Sequence, residues 1–140
     1  VTRHPLYNVP GPVEELYLLR LCELVLEPLR VLWGVPIATS SGYRSAAVNA
    51  AAGGEEDSQH RRGQAADIVP VGLPLGEAFR MLVQSGIPFD QAILEAVGGK
   101  NWIHVSIPPI YRKPRREALV AHDGTPRYAV YELPREGEIA

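Results

Sequence analysis

Residues 89–107, FDQAILEAVGGKNWIHVSI, constrain the fold more than any other stretch. Two strand-like runs flank AVGGK, whose glycines permit a tight reversal, so the segment reads as two adjacent strands. Alternation in the second run puts Trp102, His104 and Ser106 on one face and Ile103, Val105 and Ile107 on the other. A histidine therefore stands on the face opposite an apolar one. Taken alone, a strand histidine is more often a satisfied core residue than a ligand.

The flanking segments supply helices. Residues 13–33 carry apolar side chains at helical spacing, with Glu14 and Glu15 in the first turn and Gly34 as the stop. Pro28 lacks a backbone donor and is expected to kink or divide this helix. VPIATSSGYRS reads as a short strand entering a turn, and SAAVNAAAGG as a short helix ended by paired glycines. Residues 53–64 are polar and loop-like, AADIVPV regains strand character with Pro70 near its end or at an edge, and PLGEAFRMLVQSG is an amphipathic helix. REALVAHDGTPRYAVYEL offers a second hairpin with Asp123-Gly124 near its turn. No repeat or dividing linker is evident, so the expectation is a single α+β domain over 1–140, with an extended arm at 1–12 and a C-terminal hairpin extension at 109–140.

Composition sets broad limits. Of 140 residues, 46% are hydrophobic and 21% charged, and the 13 prolines and 13 glycines argue against an all-helical bundle. A net charge of −2 gives no global drive toward nucleic acid or anionic membrane. Neither a membrane span nor a signal-peptide pattern is present, which implies cytoplasmic synthesis, with any action at a cell wall requiring phage lysis or particle-borne delivery. Cys22 has no internal partner and is expected to be a small buried hydrophobe.

Zinc is held by His, Cys, Asp or Glu, and a catalytic site leaves one position for water. Of the four histidines, His4 lies in the arm and His122 abuts a turn, and both read as surface bystanders. His60 and Asp67 differ. They bracket the glycine- and alanine-containing SQHRRGQAAD (58–67), and Asp67 opens an apolar strand where a charge needs a partner. The spacing alone is weak evidence.

Taken together, SSGYRS, SQHRRGQAAD and WIHVS closely resemble the zinc D-Ala-D-Ala carboxypeptidase and D,D-dipeptidase family, which shares its fold with the hedgehog signalling domain. The pattern SxHxxGxAxD is matched at Ser58, His60, Gly63, Ala65 and Asp67. The helix LLRLCELVLEPLRVLWG and the segment FDQAILE resemble the phage and prophage branch, and the likeness spans roughly residues 8–108. It implies a small antiparallel sheet with helices on one side. It also implies one zinc per chain, held by His60, Asp67 and His104. Gly63 then allows a tight turn after His60, and Ala65 and Ala66 let the strand pack close to the metal.

Hydrolysis needs a general base. Dipeptidase members carry an acid three positions before the last histidine, where this chain has Asn101, an amide that cannot take the proton. Hedgehog-like and phage-type members place a glutamate at the end of the preceding strand, and Glu95 occupies that place. A surface glutamate entering a turn is the plain alternative.

The resemblance assigns Arg44 to a substrate carboxylate, against a structural pair with a loop acid. Ser58 is assigned to substrate or to Asp67. Tyr43 and Trp102 read as pocket lining or core, GEED (54–57) as a solvated loop, and RKPRR (112–116) as soluble surface rather than a polymer-binding patch.

The leading expectation is a monomeric zinc metallopeptidase cutting an amide bond in peptidoglycan stem peptides, as a D-Ala-D-Ala carboxypeptidase or an endolysin-type endopeptidase. Neither nucleic acid nor membrane is expected as a partner. A catalytically silent zinc-bearing binding module of the same fold is the alternative.

Overall fold

A computed structural model describes residues 7–123 and 128–134. The fold is α+β, with one six-stranded sheet in the order β1-β2-β4-β3-β5-β6. Its strands are β1 (Ile37–Ser41), β2 (Ala65–Pro70), β3 (Gln91–Val97), β4 (Lys100–Ser106), β5 (Glu117–His122) and β6 (Ala129–Val130). The helices are α1 (Pro12–Leu21), α2 (Glu27–Trp33), α3 (Ala46–Ala51) and α4 (Leu75–Gln84).

A five-residue π-helical turn, Cys22–Leu26, joins α1 to α2 directly before Pro28. Proline cannot donate to the carbonyl one turn earlier, and the looser turn accommodates that loss within a continuous helix. The buried side chains Leu21, Val25, Leu29 and Trp33 recur every fourth residue, a spacing that drifts by roughly 40° per step on an ideal α-helix. The wider turn takes up that drift. It also leaves Cys22 exposed, contrary to the buried position expected for it. Gly34 ends the helix in the left-handed region at φ 67°, and the Trp33 indole donates to the Ala78 carbonyl at 2.9 Å, locking α2 onto α4.

The core forms where these helices meet one face of the sheet. Phe79 and Leu82 of α4 pack with Ala66 and Ile68 of β2 and with Ile103, Val105 and Ile107 in and after β4. All are essentially removed from water. The alternation of NWIHVSI is as expected, with Ile103 and Val105 in the core and His104 on the opposite face. Gly98 and Gly99 take φ 61° and 75°, the paired left-handed conformation of a two-residue hairpin turn between Val97 and Lys100.

Two expectations need correction. The sheet is mixed, because β5 pairs parallel with β3 across six residue pairs. The chain leaves β4, skips past β3 and starts β5 from the same end of the sheet, so parallel pairing is the geometric result. Ala66 points into the core, so only Ala65 shares the face of Asp67. The C-terminal hairpin does form, β5 with β6, and its turn at 124–127 lies outside the described residues, as does His4. From the arm, the Tyr7 carbonyl and the Asn8 side chain hydrogen-bond to the Tyr43–Ser45 turn.

Within the polar loop 53–64 a 3₁₀ turn, Gln59–Arg62, is capped by Ser58 and ended by Gly63 at φ 74°. A methyl group on Gly63 would strike the backbone carbonyl of Glu14 in α1. Gly63→Ala is therefore expected to cost about 2–4 kcal/mol of stability, from left-handed strain plus overpacking. Urea denaturation checks this, and an unchanged midpoint would contradict it.

Candidate active site

Three side chains converge on the sheet face away from the core. Asp67 of β2 stands directly opposite His104 of β4, and the 3₁₀ turn delivers His60 from above. His60 Nε2 lies 3.2 Å and His104 Nδ1 3.1 Å from the same oxygen, Asp67 Oδ1. One ligand atom from each of the three lies within 4.8 Å of the other two. Zinc bonds of about 2.0–2.1 Å in tetrahedral geometry place neighbouring donor atoms roughly 3.3 Å apart, close to the two separations from Asp67 Oδ1.

The tautomer points the same way. His60 Nδ1 stands 2.7 Å from the Gly42 carbonyl oxygen, which can only accept, so Nδ1 carries the proton. A neutral His60 then turns an Nε2 lone pair toward a carboxylate oxygen, an arrangement that a cation between them satisfies. The residues present fit a zinc ion.

Asp67 is braced from behind. Arg44 Nη2 donates to Oδ2 at 3.1 Å, Arg44 Nε donates to Ser41 Oγ at 2.8 Å, and the Arg44 amide donates to the His60 carbonyl at 2.9 Å. Burial works to raise the Asp67 pKa, but in the metal-free protein with both imidazoles protonated, hydrogen bonds from His104 and His60 and their charges outweigh it and hold the carboxyl well below its usual range. Arg44 thus sits on an acid of the site itself, on a strand rather than a loop. Ser58 Oγ accepts from the His60 amide at 3.2 Å, capping the turn that carries His60, and also borders the cleft.

Glu95 faces the same cleft, whose volume is about 840 Å³. Its direct partner across the strands is Trp102, and His104 lies opposite Ile93. Glu95 is therefore diagonal to His104, one pair further along than a face-to-face arrangement, at a Cβ separation nearer 7 Å than 5 Å. Burial raises its pKa above the usual carboxylate value, and the negative charge of Asp67 adds to this. His104, Trp102 and Tyr128 act in the opposite sense without reversing it. Tyr128 donates to Glu95 Oε1 at 3.4 Å. The buried Trp102 Nε1 forms no hydrogen bond among the described residues, so its influence falls short of a formed bond. Asn101, an odd number of residues from His104, falls on the other face of β4 and is exposed.

RKPRR is exposed throughout, as expected, but its arginines are also anchored to the fold. Arg112 and Arg115 both hydrogen-bond the buried Asp90, and Arg116 donates to the carbonyls of Val83, Ser85 and Ile87 and lies over the Phe89 ring. Asp90 also accepts from Gln59 Nε2 at 3.0 Å, next to His60 in the chain. Sequence reasoning missed Asp90, Gln59 and Tyr128 because their partners lie far away along the chain.

Residues 10–106 match the family described as Peptidase M15. The chain belongs to the peptidase M15 family. M15 peptidases are zinc enzymes, in keeping with a donor set of two histidines and one aspartate. No curated protein matches the chain significantly. No helix among the described residues is long and apolar enough to cross a membrane.

Burial also works to raise the Asp90 pKa, yet its hydrogen bonds from Arg112 and Arg115 hold it well below the usual range. A depressed folded-state pKa stabilises the protein above the unfolded value, near 4, and that stabilisation is lost as pH falls through the folded value. Asp90→Asn is expected to cost about 2–3 kcal/mol at pH 7. The gap to wild type should narrow by about 1 kcal/mol per pH unit below 4. Denaturation at several pH values checks this, and a gap independent of pH would contradict it.

Proposed function

We propose that this M15 protein is a zinc-dependent peptidase that hydrolyses an amide bond in peptidoglycan stem peptides. The observation that carries the reading is the convergence of His60 Nε2, Asp67 Oδ1 and His104 Nδ1, with Glu95 in the same cleft. A zinc ion held by three protein groups supplies Lewis acidity to a carbonyl and brings the pKa of water toward about 7.

The chain's own residues do the rest. Glu95 takes a proton from the attacking water as its oxygen bonds to the amide carbon, then returns it to the leaving nitrogen as the C–N bond breaks. Its raised pKa suits both roles, since a carboxylate with a higher proton affinity is the better base and its acid form persists nearer neutrality. The diagonal offset from His104 leaves room for substrate between the carboxylate and the metal ligands. Arg44 fixes the Asp67 carboxylate so that Oδ1 faces the two histidines. Any grip by Arg44 on a substrate carboxylate uses the part of the guanidinium not committed to Asp67 and Ser41. Ser58 holds the His60 turn.

D-alanyl-D-alanine carboxypeptidase action and cleavage elsewhere in the stem both fit these residues, and a lysin role in phage release is consistent with either. Glu95→Gln tests the reading: the variant should lose about 10²–10⁴ in kcat on a stem pentapeptide while still binding it. Turnover equal to wild type would remove Glu95 from the chemistry. A wild type that binds the peptide and never cleaves it would favour the silent module.

A further inference from the structure

Residues 108–117 lie beyond the family-matched span and contribute Pro109, Tyr111, Arg112 and Arg115 to the wall of the cleft. There Asp90, 0% exposed, receives two guanidinium groups. Arg112 binds it through both terminal nitrogens at 2.8 and 3.0 Å, and Arg115 through Nη2 at 2.9 Å and its own amide at 3.0 Å. One carboxylate between two guanidiniums leaves a net positive charge, and the two side chains remain 38% and 47% exposed at the cleft. Among the described residues Arg112 Nε and Arg115 Nη1 make no hydrogen bond, so donors remain for a guest. The neighbouring acid Glu117 is engaged by Gln91 Nε2 at 2.7 Å.

Strand register places this cluster relative to the chemistry. Gln91, Ile93 and Glu95 alternate along β3 at the cleft, and His104 lies opposite Ile93. Asp90 precedes Ile93 by three residues, so the backbone of the acid that anchors the arginine pair stands roughly 10 Å from the level of His104, on the side away from Glu95. An extended peptide covers that span in about three residues. The terminal carboxylate of a single released amino acid would lie closer.

We propose that Arg112 and Arg115 form an anion subsite that takes a substrate carboxylate two to three residues from the scissile amide, making the enzyme selective for acidic peptides. This rests on reading the cleft as a peptidase site. Asp90 preorganises the pair, and its bond to Gln59 ties the subsite to the turn bearing His60.

The test compares two fluorescein-labelled peptides, L-Ala-γ-D-Glu-L-Lys-D-Ala-D-Ala and the analogue whose D-Glu α-carboxylate is a carboxamide. Affinities are read by anisotropy on the full chain with zinc, carrying Glu95→Gln to suppress turnover. The carboxylate peptide should bind at least about tenfold tighter, and Arg115→Gln and Arg112→Gln should each bring the ratio to within about threefold. Equal affinities, no binding of the carboxylate peptide, or a ratio unchanged in both arginine variants would overturn the subsite. Hydrolysis by the wild type is read separately. An intact binding ratio without hydrolysis would refute the peptidase reading alone, and equal kcat/KM on both peptides would refute the subsite alone.

Discussion

The carboxylate of Asp67 is the point on which this structure turns. It sits on β2, the strand between β1 and β4, at a depth where an unpaired negative charge would be costly. Oδ2 is neutralised by Arg44, leaving Oδ1 to face His60 and His104. Each partner arrives by a different route: His104 by strand register, His60 by a capped 3₁₀ turn, Arg44 from the turn after β1. A carboxylate fixed this way presents a defined lone-pair direction, as the hydrogen bonds behind a metal ligand do.

The supporting elements follow from that requirement. Gly63 lets the His60 turn close against α1, where no larger residue fits. Gln59 reaches from the same turn to Asp90, at the entrance to β3, so the two sides of the cleft are joined by a partly buried polar link. The strongly anchored end of the cleft is basic, and the opposite end carries Glu95 beside Tyr128. The cleft is thus polarised along one strand, by residues within the family-matched span and by residues after it.

Local chemistry made much of this legible in the sequence. Alternation in NWIHVSI set the facing of His104, the double glycine marked the hairpin, and the glycine at 63 marked a tight turn after His60. What stayed hidden depended on partners distant in sequence. Arg44 and Asp67 are 23 residues apart, and Arg112 and Asp90 are 22 apart, so neither pairing has a local signature. A basic run looks solvated until a buried acid is placed beneath it. The parallel placement of β5 depends on which neighbour the chain skips, and the exposure of Cys22 follows from a helical turn that the Pro28 signal suggests only as a kink.

Metal content tests the central claim most directly. Elemental analysis of the wild type and of His104→Ala, both purified without chelator and supplied with zinc, should give about one zinc per chain in the former and a clear loss in the latter. A wild type that stays metal-free under those conditions would contradict the account. The convergence on Asp67 would then be a buried hydrogen-bond network rather than a catalytic centre.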